Sequence, residues 1–444
     1  MRGAMKTAMW AALAAAAGLA LTGPATAQGK GGGPAETIRF TGAQWWTPQG
    51  FVSGDRYVRG GVFVAPTRAA RVVDLNGAFV TPAFGEAHNH NLDGPDLARH
   101  VSDQYLANGI FYVKNPNSRA ATTPAARALL NRPDTVDARF SMGGLTAEGG
   151  HPIRLYGFLS RFSGKEQPGE AFEGDAFHVI RTAADIEPAL GKLQAQGAEF
   201  IKTYLLHSEA YEARKADKAH YGMRGLDPKL YPAIVAAAHR RGMKVSVHIE
   251  TAADFRLAVA SGVDEINHLP GYMWATGDTA ATYALTPADA HAAARAGTVV
   301  VTTTVITNGI NLPRARKAQI KAVQTANLRL LQAAGVKLAI GSDNYMQTSR
   351  SEIENLSSMK VFDDATLLRL WVETPKVSIF PGRKVSCLDR GCEADFLVLS
   401  ADPSQDIAAT KAIRAAWKDG APLTLVPLQP TVIPGAPGGG GHAH

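Results

Sequence analysis

Cysteine is nearly missing from this chain: of 444 residues, only Cys387 and Cys392 carry a thiol. Neither stands beside a His-containing segment, which argues against a cysteine nucleophile. Long Lys/Arg runs interleaved with aromatics are absent too, and the formal net charge of +7 lies partly in the terminal segments, so nucleic-acid binding has no support. No Gly-x-Gly-x-x-Gly follows any strand-like run, which removes the dinucleotide-binding fingerprint. Beyond the N-terminus, no apolar run approaches the ~20 residues of a membrane-spanning helix.

What is present begins with an export signal. Arg2 and Lys6 flank the start of an Ala/Leu-rich run over residues 7–21, and Ala25-Thr26-Ala27 has the small-x-small pattern of a signal-peptidase site. Residues 1–27 therefore read as a cleaved signal peptide, and an N-terminal anchor is the weaker reading because the run is short. The expected destination is periplasmic or secreted, with no stable membrane anchor after cleavage. Residues 28–35 form a Gly-rich leader. An oxidising compartment favours a disulfide between Cys387 and Cys392 across the turn-like Leu388-Asp389-Arg390-Gly391, joining two short strands; two free thiols are the alternative.

The length exceeds the ~250–300 residues at which a single core stops growing, and 45% hydrophobic with 19% charged residues indicates a globular chain. Residues 36–80 and 374–430 carry short β-type runs punctuated by turn residues. Between them, residues 81–373 alternate apolar strand-like runs with Ala-rich helical stretches, clearest at 230–241 and 252–261. Strand candidates fall at 83–87, 110–114, 140–145, 200–205, 244–248, 265–268, 298–304 and 337–341. Eight strands with seven intervening segments is the count of a (β/α)8 TIM barrel, an α/β fold; an open doubly wound sheet usually has fewer strands and the glycine fingerprint. The terminal β runs are expected to pair into a small flanking β-sandwich-like domain. Residues 431–444 form a Pro/Gly-rich tail expected to be disordered, in which His442 and His444 have no framework around them.

The first barrel candidate ends in His88-Asn89-His90. Alternation along a strand puts positions i and i+2 on one face, so two imidazoles could meet one metal ion. Alone, the pair weighs no more than two unrelated loop residues. Polar groups suited to metal recur, however, at the ends of later strands: Lys202, His248, His268 and Asp343. Each has an ordinary alternative: a surface lysine, a satisfied core histidine, a loop histidine, a helix N-cap. A lysine inside an apolar strand is costly to bury unpaired, and five strand ends all supplying ligand-type residues is hard to assign to chance.

With these residues assembled, the chain resembles the amidohydrolase superfamily, and within it the imidazolonepropionase-like and Xaa-Pro-dipeptidase-like branch. The resemblance spans nearly the whole mature chain. It rests on residues 73–82 before the first strand, Ala198-Glu199-Phe200-Ile201-Lys202, residues 237–248, residues 260–268, residues 334–343 and residues 391–399. It implies two divalent metal ions, with His88, His90 and Asp343 on one, His248 and His268 on the other, and Lys202 bridging them as an N-carboxylated lysine. Zn2+ is the default for such donors, with Mn2+, Fe2+ or Co2+ as alternatives. A metal lowers the pKa of bound water from 15.7 to about 7, giving hydroxide at neutral pH, and Asp343 would act as general acid/base.

Some positions depart from the pattern. Asn89 stands where the family often has Thr, and Asn267 where Glu commonly precedes the sixth-strand histidine; strand alternation turns both away from the metal. Thr251 occupies the place of the Glu that a mononuclear deaminase would carry, and Glu250 falls on another face, which argues against deamination. Tyr204 shares the face of Lys202, and His151 follows Gly149-Gly150, so both are expected to reach a small-molecule substrate. The loops 207–226 and 270–285 should shape the pocket, with Tyr272 and Trp274 suited to an apolar group. The leading reading is hydrolysis of an amide-type bond in a dipeptide or N-acyl amino acid. The alternatives are a cyclic amide, lactone or phosphotriester hydrolase, or an exported metal- or ligand-binding protein without catalysis. A homo-oligomer is compatible with the sequence.

Overall fold

The computed structural model describes residues 36–161 and 165–428; the stretches read as signal peptide, leader and tail lie outside the described residues. Strands β1 (Ile38–Thr47), β2 (Gly50–Arg59), β3 (Val62–Val64) and β4 (Arg71–Pro82) come first. They are followed by β5 (Phe84–Glu86), β6 (Ile110–Asn115), β7 (Asp137–Phe140), β8 (Gly144–Thr146) and β9 (Phe177–Val179). Then come β10 (Ile201–Tyr204), β11 (Val245–His248), β12 (Glu265–Asn267), β13 (Val299–Val301) and β14 (Leu338–Ala339). Strands β15 (Phe396–Leu399), β16 (Ile413–Lys418) and β17 (Ala421–Leu423) end the described chain.

The first and last groups form one seven-stranded sheet in the order β17-β16-β15-β4-β1-β2-β3, joined where β15 pairs antiparallel with β4. Its inner face is aromatic: Phe40 meets Trp417 edge-on at 4.7 Å and Phe396 at 5.3 Å, and Trp45 meets Phe63 at 6.2 Å. Rings from β1, β3, β15 and β16 can share one core only if the sheet curls. Its two edges do approach each other, with Ala394 N donating to Gly61 O and Gly420 so near Gly61 that an added Cβ would lie 3.0 Å from its Cα. Both glycines also hold positive φ, so this turn-to-turn contact needs residues without a Cβ.

The middle strands pair parallel in two ladders, β5-β6-β7 and β14-β13-β12-β11-β10-β8-β9. Backbone hydrogen bonds link the shorter ladder to the larger one: Ala87 N, after β5, donates to Ile340 O, after β14, at 2.8 Å, and Glu199 N, before β10, to Phe140 O of β7 at 2.9 Å. Helices such as Tyr231–Arg240 and Ala252–Ala260 intervene. Alternation sorts the strand faces. Thr203 meets the hydroxyl of Tyr231 on its helix at 2.9 Å, so Lys202 and Tyr204 point the opposite way. By the same alternation, Val245, Val247 and Ile266 join the large apolar core while Ser246, His248, Glu265 and Asn267 share the other face.

Several expected elements differ. The candidate at 140–145 is two strands, because Met142 adopts φ +58 and breaks the run between β7 and β8. Strand β9 extends the larger ladder beyond β8 and was not anticipated. Cys387 and Cys392 are disulfide-bonded, with Cα atoms 5.8 Å apart. No two strands flank them: Glu393 N donates to Lys384 O across the loop, while Gly391 N and Phe63 N trade backbone hydrogen bonds with Phe63 O and Cys392 O, so the segment also docks on β3. Among the described residues, no helix is long and apolar enough to cross a membrane.

Candidate metal centre

The exits of β5 and β14 are stitched together. Buried Glu86 accepts from Ser342 N (2.8 Å), Ser342 Oγ (2.9 Å) and His88 N (3.3 Å), and burial pushes its carboxyl up to about 8. Asn89 turns away from the centre and donates to Ser342 Oγ at 2.7 Å, and Asp343 N donates to His88 O at 2.8 Å. Gly341 permits this approach, since a Cβ there would sit 2.8 Å from His88 N. The result places Asp343, at φ +45, directly against the histidines.

Three imidazoles converge on that carboxylate. His88 Nε2 lies 3.5 Å and His90 Nε2 3.2 Å from Asp343 Oδ1, and His268 Nε2 lies 3.7 Å from Oδ2. His248 packs edge-on against His268 with ring centroids 4.6 Å apart. Far nitrogens are held from behind: His90 Nδ1 by Asn117 O (3.2 Å), His268 Nδ1 by Thr303 Oγ1 (2.7 Å), His248 Nε2 by the Tyr272 hydroxyl (3.2 Å). Such partners orient metal-ligating imidazoles.

Lys202 is buried, with Nζ donating to Asn267 Oδ1 at 2.5 Å, and burial pushes its ammonium down to about 7. Burial opposes ionisation of Asp343, yet His88, His90 and His268 together hold it well below the usual carboxylate range. Burial likewise keeps His88 and His268 below the ordinary imidazole value.

These residues fit a metal ion. Ligand atoms of His88, His268 and Asp343 all lie within 4.8 Å of one another, so the group could hold one. His268 Nε2, which faces Asp343, is buried without a hydrogen-bond partner, an unusual condition for a polar atom unless something else meets it.

The expected site residues therefore gather around one small cavity of ≈ 40 Å³, lined by the six ligand-type side chains together with Tyr204, His151 and Tyr272. His151 stacks on His248 at 5.0 Å. Two expectations are corrected. Trp274 is not at the cavity: it stacks on Tyr283 at 5.0 Å in a separate apolar cluster. Asn267 does not face away from the centre but contacts Lys202: alternation puts it on the same inward face as Glu265, and His268, at φ +74, leaves the alternation so that its side chain turns inward as well.

Sequence reasoning missed His207, whose Nε2 lies 3.2 Å from buried Glu250. Burial works against the His207 imidazolium, but Glu209 and Glu250 raise it to about 9. Glu250 in turn lies 3.9 Å from His248 Nε2. Tyr156 and Tyr345, also on the cavity wall, were missed; Tyr345 stands two residues beyond Asp343, a spacing that could have flagged it.

With this geometry in view, similar solved structures become informative. An amidohydrolase matches with TM-score 0.65, covering 88% of this chain and 100% of that one at 20% identity. The chain has the amidohydrolase fold. The same fold in A. niger ochratoxinase superposes with TM-score 0.68 at 15% identity, over 88% of this chain and 96% of that one. A Xaa-Pro dipeptidase with methionine bound in its active site gives 0.63 at 16% identity, over 87% and 99%. No family model matches the sequence, and no curated protein matches it.

Proposed function

We propose that the chain is an exported, binuclear metal-dependent amidohydrolase whose parallel strands form a closed (β/α)8 barrel, flanked by a domain from residues 36–80 and 374–430. His88, His90 and Asp343 would hold one divalent ion, His248 and His268 a second, and Lys202, carboxylated on Nζ, would bridge them. Zn2+ suits these imidazole and carboxylate donors. The observation that carries the reading is the convergence of His88, His90 and His268 on Asp343, with second nitrogens of the outer imidazoles held from behind.

Divalent ions supply positive charge that lowers the pKa of a coordinated water to about 7 and polarises a carbonyl. The remaining steps fall to the chain. Asp343, within reach of three imidazoles, takes the proton from the attacking water and delivers it to the leaving nitrogen. Tyr204, with its ring 5.5 Å from Lys202 Nζ, and His151, beside His248, orient the carbonyl. Fold relatives that are named prolidase and Xaa-Pro dipeptidase support a carbon–nitrogen bond as the target. Residues 1–27 would direct export to the periplasm or medium.

The deciding experiment is metal analysis of the mature protein combined with a hydrolysis screen of simple amides, N-acyl amino acids, dipeptides, lactones and phosphotriesters. Stoichiometric metal with amide hydrolysis is the expected result. Metal without hydrolysis of any class would instead make this a binding protein.

A further inference from the structure

The cavity wall says more about the substrate, on the footing that the amide-hydrolase reading holds. Beyond the ligand-type side chains it is built from Tyr156, Tyr204, Tyr272, Tyr345, Leu155 and Ile306. Asn117, His151 and Pro152 line it too; among the described residues no arginine does, and its one lysine is Lys202. Two of the phenols are tied into the wall: Tyr156 Oη accepts from Asn117 Nδ2 at 2.8 Å, and Tyr272 Oη meets His248. Arg154, on the helix Ile153–Ser160 that roofs the cavity, turns outward and donates to Tyr221 O at 2.9 Å.

A free carboxylate buried against this wall would lose its water and gain no cation, which is strongly unfavourable. Aromatic and branched apolar groups, by contrast, bury well against tyrosine, leucine and isoleucine. We infer that the substrate is an amide uncharged on both sides of the scissile bond, with an aromatic or branched apolar group against Tyr156, Leu155 and Ile306. Water adds across the C–N bond, the acyl carbon keeps its oxygen, and the nitrogen leaves with the proton. The free volume of ≈ 40 Å³ holds little more than a water, so part of the wall must give way to admit this substrate. A second cavity of ≈ 540 Å³ along the outer face of the helix Ile153–Ser160 leaves room for movement there.

The test is a matched pair: N-acetyl-phenylalanine against N-acetyl-phenethylamine, the same amide without the carboxylate, assayed with the metal-loaded mature protein. Expected is a kcat/KM at least about 100-fold higher for the uncharged amide, or about 2.7 kcal/mol in transition-state stabilisation. Equal rates, or preference for the carboxylate, would overturn the inference while leaving the amide reading intact. Cleavage of neither would overturn the amide reading itself. Calorimetric binding of both compounds to Asp343→Asn then decides the charge question separately: the carboxylate binding as tightly as its neutral partner would overturn the inference, and weaker binding would uphold it.

Discussion

Two buried polar clusters share the inward face of the parallel strands, one on each side of Lys202, and they are built on opposite rules. Toward the strand starts, Glu265 accepts from Lys114 (2.7 Å), Ser246 (2.8 Å), Asn267 (3.0 Å) and Ser378, so both carboxylate oxygens are paired. Toward the strand ends, His88 Nδ1, His268 Nε2 and Glu250 Oε1 are buried without a hydrogen-bond partner. A fully satisfied network rigidifies a core, whereas unsatisfied buried atoms are tolerated where a ligand completes them. The lower cluster is scaffold and the upper one is prepared for a guest.

Variants can break that contrast. The largest effect is expected from Asp343→Asn, which should lose about 10³-fold or more in kcat, within the range of general acid–base catalysis, while keeping its metal. Near-normal turnover would remove Asp343 from the chemistry. Lys202→Ala should lose activity and recover part of it with small carboxylic acids; two tightly bound ions in that variant would show the bridge is dispensable. Below Lys202 the sign reverses. Lys114→Met strands the Glu265 carboxylate and should cost about 3–5 kcal/mol in denaturant unfolding, with Lys114→Met/Glu265→Met recovering most of it. If the single variant is as stable as the parent, the lower cluster is not scaffold.

Smaller effects calibrate the rest. Replacing Cys387 and Cys392 with alanine should cost about 2 kcal/mol, since the closed loop is short, and should leave the metal centre untouched. The smallest concerns acid. Burial opposes ionisation of Glu265, but Lys114 outweighs it and holds the carboxyl below its ordinary value of 4.5. A depressed carboxyl gives stability that is full above that value and fades as pH falls through the depressed one. Glu265→Gln should flatten the acid limb of stability below about pH 4.5 relative to the parent; an unchanged slope would show the pair contributes nothing there.

Much of this was legible in the sequence, because strand alternation and the position of ligand-type residues at strand ends are local signals. His88, His90, Lys202, His248, His268 and Asp343 could all be picked out that way, and the structure brings them to one cavity. What escaped depends on backbone angles that no periodicity encodes. His268 at φ +74 turns inward beside Asn267, so the two could not both be placed by counting, and Met142 at φ +58 splits a run that reads as one strand. Glu265 and Lys114 lie far apart in sequence, and nothing local announces that a buried lysine on β6 answers a buried glutamate on β12. Cavity-wall residues outside the strands, such as Tyr156 on the helix Ile153–Ser160, carried no such local signal.

The junction at Ala83 bears on how the protein is born. Only that residue separates β4 from β5, and its backbone N–H donates to Asp395 O, while β4 pairs with β15 from the far end of the chain. A ribosome therefore releases His88 and His90 long before the strand that anchors their own has been made. Until residues near 395 emerge, these two histidines hang from a strand lacking one of its neighbours. Loading of the proposed metal centre would thereby await completion of synthesis, and a chain that stops early should carry its histidines without a settled place to hold an ion.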